Sequence, residues 1–389
     1  MFVGHRFARP TDKVEFLAQG GGTDKVEFLP HGMGGMGWRA AMMRGMDTTA
    51  AVTHIFERFL DERVERFDAY LAGYFADGSH PDMTRYLYEP LAAFSENGGK
   101  RTRPLICQLG CVAVGGSEEA ARSAAAAVEH FHTAALIHDD IADDSLLRRG
   151  KPCMHLTEGI GLAINCGDLA LSLVTGAVLD DDDLADDVKI AVLKELVNMT
   201  TRTIEGQALD IGWARDGRFD ITIDDYLLMA SHKTAFYSGA VPLAVGAIIG
   251  GGTDEQVEAL RAYGMSTGLA FQLQDDLLNL IGDEESLAKD FRSDITEGKR
   301  TMIAVHALAH TEGAAHGELL DILSAKETDA ARLARAVDIM DSAGSIDYTR
   351  ECAKRFAHEH DADIEAAIEP GAPRRLLLAM GDFFVSRLS

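Results

Sequence analysis

Long uninterrupted apolar runs are missing from this chain. No stretch of about 18 uncharged apolar residues occurs, so no membrane-spanning helix is expected. The N-terminus lacks a compact apolar core with a cleavage site, which argues against a secretory signal. Cysteine is scarce: Cys107, Cys111, Cys153, Cys166 and Cys352 are odd in number and none has CxxC spacing. That argues against a disulfide framework and points to buried thiols in a reducing cytoplasm. The nine prolines and few β-branched runs favour helices over a sheet. Positive charge is also short, with 37 Lys and Arg against 62 Asp and Glu and a net charge of −25. Nucleic acid and anionic membrane both need a basic surface, so neither is expected as a partner.

What is present is mostly Ala- and Leu-rich helical sequence, and an all-α fold is expected. Residues 1–46 stand apart: Thr11–Leu17 recurs as Thr23–Leu29, and the rest is rich in Gly and Met. Two copies are too few for a solenoid. The expected division is a disordered leader over 1–46 and one domain over 47–389, with Asp47-Thr48-Thr49 as a helix cap. Ser117 with Glu118 and Glu119 reads as the cap of a long helix that follows. Asp180–Asp183 reads as a solvated loop, and Gly250-Gly251-Gly252 as a turn.

The chemistry lies in two aspartate-rich segments on apolar helices, His138–Asp144 and Gln274–Asn279. Carboxylates in apolar surroundings need pairing or a metal. Asp139 and Asp143, at i and i+4, share one helix face and repel each other, so a cation is expected between them. Mg²⁺ held by one or two carboxylates plus substrate phosphates fits. Gly98-Gly99-Lys100-Arg101-Thr102-Arg103 and Arg148-Arg149-Gly150-Lys151 place cations suited to phosphate near those acids. Together these imply an enzyme that handles diphosphates.

Six blocks in order, GGKRTRP, HFHTAALIHDDIADDSLLRRGKPCMH, EGQALDIG, HKTAFYSGAVPL, FQLQDDLLNLIGD and KDFRSDITEGKRT, carry a family resemblance. The chain resembles the trans-isoprenyl diphosphate synthases (polyprenyl synthetases), most closely the geranylgeranyl diphosphate synthases. The resemblance implies the isoprenoid synthase fold, a single-domain helical bundle around a central apolar cavity. It also implies a Mg²⁺-dependent prenyltransferase, with about three ions per site, acting as a homodimer. Its substrates would be isopentenyl diphosphate and an allylic diphosphate (dimethylallyl, geranyl or farnesyl). By the same resemblance Asp139, Asp143 and Asp275 hold metal. Lys100, Arg103, His132 and Arg149 would bind isopentenyl diphosphate. Arg148, Lys233, Thr234, Gln207, Gln272, Lys289 and Lys299 would serve the allylic one, with Arg148 and Lys233 joining the three metal ligands as catalytic groups. Asp210 would line the same cavity, and Asp294 would act as a structural acid. Asp140 would act in support, and Arg101 reads as a surface cation. Asn279 replaces the more usual final aspartate, so Asp275 is the expected ligand and Asn279 its hydrogen-bonding neighbour.

In this family a bulky residue four or five places before the first aspartate stops chain growth early. Those places hold Ala135 and Ala134, and Phe131 is the next large side chain on the helix. The expected product is therefore C20. Farnesyl or longer-chain synthesis is the alternative. A class I terpene cyclase would have one diphosphate to bind, against the Lys100-Arg103-His132 cluster. A non-catalytic synthase subunit would be expected to have lost metal ligands that this chain keeps.

Overall fold

The computed structural model describes residues 37–75, 78–282 and 291–386, with side chains from residue 54 onward. The chain divides into two units, Met1–Met46 and Asp47–Ser389. Of the leader expected over 1–46, residues 1–36 lie outside the described residues. Helix α1 runs Gly37–Leu71, so Asp47-Thr48-Thr49 is not a helix start. The Ala- and Met-rich sequence before it is itself helix-forming.

In the second unit, α2 (Pro81–Met83) leads through a π-helical stretch into α3 (Glu89–Glu96). Then follow α4 (Thr102–Ala113), α5 (Arg122–Ala142) and a hairpin, β1 (Leu147–Arg148) with β2 (Lys151–Pro152). The hairpin pairs Leu147 with Pro152 and Arg148 with Lys151. Its two turn residues, Arg149 and Gly150, have φ of 51° and 77°, as the tight primed turns of hairpins require. After it come α6 (Met154–Thr157), α7 (Ile160–Leu179), α8 (Asp186–Arg215) and α9 (Ile223–Ala230). A ten-residue π-helix, Ser231–Ala240, joins α9 to α10 (Val241–Ile249). The central α11 spans Asp254–Ile281. The last elements are α12 (Ser293–Glu297), α13 (Met302–Ala309), α14 (Gly313–Ala325), α15 (Ala330–Ser342), α16 (Ser345–His358), α17 (Asp361–Ala367) and α18 (Ala372–Ser386).

Local sequence explains the main boundaries. Thr222 with Asp225 and Thr253 with Gln256 form capping boxes at the starts of α9 and α11. The Ser117 cap sits one turn early: its Oγ accepts from Ala120 N at 3.2 Å, and α5 begins only at Arg122. Ala124–Ala127 are fully buried, which lets α5 lie close to α4 and α7. Enlarging any of them would cost about 1–3 kcal/mol by overpacking. Asp180–Asp183 form the loop between α7 and α8, and Gly250–Gly252 the turn before α11.

One expectation needs amending. α7 is long and apolar enough to cross a membrane, with mean hydropathy 1.7. A search for uncharged runs misses it because Asp168 interrupts it. In the fold its buried side packs against α5.

Candidate active site

The C-terminal end of α5, the hairpin, α8, the π-helix, α11 and the 293–301 segment enclose a cleft of about 690 Å³. Arg103, His132, Asp139, Asp143, Arg148, Arg149, Lys233, Thr234, Gln272, Asp275 and Lys299 all line it, with Asp210, Asn279 and Asp294. The lining is mostly polar and charged, and Leu136, Met229, Ala230 and Phe271 supply its apolar wall.

The first aspartate pair meets the cleft where α5 ends. Asp143 N donates to Asp139 O at 2.9 Å, which sets the two side chains one turn apart. Carboxylates at a helix C-terminus face the negative end of the macrodipole, so the arrangement calls for positive charge. Gln207 Nε2 donates to Asp139 Oδ1 at 2.7 Å, fixing that carboxylate from α8. Burial, and then the neighbouring Asp139, raise the Asp143 carboxyl above its usual range, while Lys299 works against the rise. Asp140 points away into the protein, buried, and accepts from Arg148 Nε at 3.0 Å and Nη2 at 2.5 Å. His138 turns to α7, with Nε2 3.4 Å from Ile164 O and 3.6 Å from Asp168.

The second segment is divided differently. Asp275 lines the cleft. Asp276 is buried and accepts from Tyr226 OH at 2.7 Å and Gln272 Nε2 at 2.8 Å. Asn279 Nδ2 donates to Ser293 Oγ at 3.0 Å, and its Oδ1 accepts from Asp294 N at 3.2 Å. The amide therefore pins the start of α12 to α11.

The cations fall into two sets. Arg103 is held between the rings of Tyr237 and Phe271, at 4.6 and 5.7 Å. It donates to Ser238 Oγ at 3.0 Å and Tyr237 OH at 3.1 Å, with His132 Nε2 at 3.5 Å. Burial and then the surrounding arginines hold the His132 imidazole well below its ordinary pKa, so it is neutral. Arg149 donates to Gly98 O and packs on Gly99, where an added Cβ would meet its guanidinium at 3.0 Å. In the other set, Arg148 pairs with Asp140 and Lys233 with Asp210. Lys299 lies 3.6 Å from Asp143, 3.8 Å from Asp294 and 2.5 Å from Glu297. Burial alone would lower the Lys233 pKa, but Asp210 and Asp139 raise it, so the ammonium stays charged. The π-helix presents Lys233 and Thr234 here, and Gly206 lets α8 approach it: a Cβ there would meet Lys233 N at 2.2 Å. Such π segments recur at functional sites.

Several expected residues lie elsewhere. Lys100 is outside the cleft lining, its Nζ 6.0 Å from the Phe383 ring centroid. Gln207 reaches the site only through Asp139. Phe131 is buried against Tyr237 at 5.6 Å, and Ala134 packs with Leu91, Ala163, Cys166 and Ala170; with Ala135, they are not among the lining residues. Lys289 lies outside the described residues.

Arg101 is a correction: it is buried, not a surface cation. Its backbone φ of 47° at the start of α4 turns the side chain inward. There it bonds Glu129, Asp68 Oδ1 at 2.7 Å and Ser95 O at 2.6 Å. Sequence reading missed Glu129, although a glutamate inside the run Ala127-Val128-Glu129-His130-Phe131 signals a buried partner. It also missed Tyr226, Phe271 and Glu297 in the cleft wall, each of which looks ordinary in its local sequence.

Among the described residues, no three His, Cys, Asp or Glu groups converge closely enough to hold a metal ion alone. The hard carboxylate oxygens facing the cleft suit Mg²⁺ if substrate phosphates complete its shell. Residues 84–340 match the polyprenyl synthetase family. The chain belongs to that family. This polyprenyl synthetase is 39% identical over 290 residues to the short chain isoprenyl diphosphate synthase of Methanothermobacter thermautotrophicus, covering 75% of this chain and 87% of that one. It is 35% identical over 317 residues to the geranylfarnesyl diphosphate synthase of Natronomonas pharaonis, covering 77% and 90%. The structure of geranylgeranyl pyrophosphate synthetase from Pyrococcus horikoshii Ot3 is similar, with TM-score 0.79 and 32% identity over 86% of this chain and 98% of that one. As a polyprenyl synthetase, it is a prenyltransferase that condenses isopentenyl diphosphate with allylic diphosphates.

Proposed function

We propose that this enzyme is a Mg²⁺-dependent geranylgeranyl diphosphate synthase. The observation that carries this reading is the single cleft in which two aspartate segments meet two separate cation sets. Asp139, Asp143 and Asp275 would hold Mg²⁺, about three ions with both phosphates in place. The metal would offset the charge growing on the leaving diphosphate. Arg103, His132 and Arg149 bind isopentenyl diphosphate, without Lys100, which lies outside the cleft lining. Arg148, Lys233 and Lys299 face the allylic one, and Asp139 is oriented by Gln207. The allylic C–O bond breaks, and diphosphate leaves with the electron pair. The isopentenyl double bond then attacks the allyl cation, forming the C–C bond. A proton is lost to the released diphosphate, which restores a double bond. The protein's part is to orient both substrates and exclude water.

C20 is the proposed product because the positions four and five before Asp139 hold Ala135 and Ala134 and no bulky side chain, and because of the Pyrococcus horikoshii relative's name. A C25 product is the second reading, favoured by similarity to the Natronomonas pharaonis enzyme. Incubating the purified protein with isopentenyl and dimethylallyl diphosphates and Mg²⁺ decides between them by product mass. Mostly C25 would select the second reading, and no condensation would overturn both.

We further propose a cytoplasmic homodimer without stable membrane insertion. The five cysteines are buried and not in disulfides, which supports a reducing compartment. On α8, Ile190, Val197, Ile204 and Ile211 recur every seventh residue and are 55%, 63%, 60% and 43% exposed. A heptad seam of β-branched residues suits packing against a second copy, and Ile160 and Ile164 of α7 are exposed as well. Light scattering should give a dimer that Val197→Glu with Ile204→Glu dissociates. A monomeric wild type would overturn it.

A further inference from the structure

Arg300 is a buried cation in the cleft wall, only 4% exposed. Among the described residues, no carboxylate lies within ion-pair distance of it. A buried charge needs compensation, and here backbone carbonyls supply it. Nε donates to Arg218 O, Nη1 to Gly298 O, and Nη2 to Trp213 O at 3.3 Å. The Phe219 ring centroid lies 3.9 Å from the guanidinium carbon. Trp213 is in the last turn of α8, and its carbonyl also accepts from Arg218 N at 3.0 Å, across Gly217 with φ of 64°. A helix that ends on a left-handed glycine makes this bond. The guanidinium therefore caps α8 at the negative end of its macrodipole.

The same side chain braces its neighbour. Lys299 belongs to the link Gly298–Thr301 between α12 and α13. Lys299 N donates to Asp294 O at 2.8 Å, and Thr301 Oγ1 accepts from Ala304 N at 3.2 Å, so the link is bonded to both of its own helices. Arg300 ties it to α8, the helix that carries Asp210, partner of Lys233. By reaching back to Gly298 O, it also fixes the backbone on the other side of Lys299.

We propose that Arg300 is a positioning residue for the prenyl transfer. Its fork locks Lys299 against α8, so that Lys299 and Lys233 meet the departing diphosphate at a set separation. The inference rests on the proposed placement of the allylic diphosphate beside these two lysines. Cations fixed in advance need no rearrangement as charge develops. A lysine at position 300 would keep the charge but could not span three carbonyls with a planar fork.

Arg300→Met and Arg300→Lys test this, each alone and combined with Lys299→Ala. The readouts are kcat and both KM values at saturating Mg²⁺, melting temperature, and calorimetric binding of an unreactive allylic diphosphate analogue. Each Arg300 variant should lower kcat about 10- to 100-fold, the size expected for a misplaced group. The analogue should bind about tenfold more weakly, with KM for isopentenyl diphosphate changed less than about threefold. Lys299→Ala alone should lower kcat about a hundredfold. In that background, either Arg300 change should cost less than about twofold more, because the group through which Arg300 acts is gone. Wild-type kcat in Arg300→Lys would show that the charge suffices, and multiplicative losses would show that Arg300 acts apart from Lys299. A lowered melting temperature with unchanged kcat would show a cap on α8 and nothing more. Each of these three results would overturn the proposal. Should Arg300→Met not fold, Arg300→Lys carries the same cycle, since it keeps the buried charge. Failure of the wild type to condense the substrates would instead refute the proposed function, so the two failures are distinguishable.

Discussion

The two cation sets of the cleft look alike in sequence and differ in what surrounds them. Arg103 and Arg149 contact neutral partners: hydroxyls, a carbonyl, a neutral imidazole and two aromatic rings. Among the described residues, neither lies within ion-pair distance of a carboxylate. Arg148, Lys233 and Lys299 are each matched by one or more carboxylates. The first set keeps its net positive charge and can receive a diphosphate directly. The second sets three cations against five carboxylates, Asp140, Asp210, Asp143, Asp294 and Glu297, and is formally net negative, so it can attract a diphosphate only when further positive charge enters. On the proposed reading, the same fold builds one diphosphate site that is complete in protein alone and one that needs metal.

The largest effect should come from taking away what recruits that metal. Asp139→Ala or Asp275→Ala should lower turnover by about a thousandfold or more while the melting temperature stays near wild type. Near-normal turnover in either variant would remove that residue from the metal site and blur the contrast. Chelation sharpens the same comparison without mutation. In EDTA, calorimetry should show isopentenyl diphosphate binding within about threefold of its value in Mg²⁺, and binding of an unreactive allylic diphosphate analogue weakened by about a hundredfold or more. Equal losses for both ligands would mean that Arg103 and Arg149 do not form a self-sufficient site. Next in size, Arg103→Ala should raise KM for isopentenyl diphosphate by about 10- to 100-fold and leave the allylic KM within about threefold, since one phosphate clamp is lost.

The fold class and most of the cleft were legible because spacing and order carry them. Asp139 with Asp143 at one helical turn, and the cation-rich loops beside apolar helices, needed no coordinates to point at one site. What sequence did not reveal is which charges are internal. Arg101 and Arg103 are two residues apart, yet one is buried against Glu129 and Asp68 while the other lines the cleft. A left-handed backbone at Arg101 makes that difference, and no local pattern signals it. Likewise Asp275 and Asp276 are adjacent on α11, about 100° apart around its axis, and both border the cleft, yet only Asp276 is held in the buried bonds to Tyr226 and Gln272. Tyr226, which donates to Asp276, is 50 residues away in the chain, so the local sequence does not signal that bond. Lys100 sits in the same motif as Arg103 but outside the cleft lining, so motif membership alone overstates the site.

The smallest expected effect is a change in product length at nearly unchanged rate. A chain anchored at Asp139 and growing back along α5 passes Ala135 and Ala134 before reaching the level of Phe131, about one 5.4 Å turn deeper. Ala134 is fully buried among Leu91, Ala163, Cys166 and Ala170, so the small side chains of α5 and α7 face each other there. Ala134→Tyr should therefore overpack that contact and lower the melting temperature, whereas Ala135→Phe, at the less buried position, should move the product toward C15. Phe131 stands edge-on to Tyr237 at 5.6 Å, and Tyr237 in turn carries the Arg103 guanidinium. Removing the Phe131 ring should lengthen some product beyond C20 and also loosen Arg103, raising KM for isopentenyl diphosphate slightly. That coupling separates two explanations by mass spectrometry and kinetics together. Longer product with a raised KM supports Phe131 as floor and prop. A raised KM with product still at C20 would mean that Phe131 only supports Tyr237 and that the floor lies on another helix.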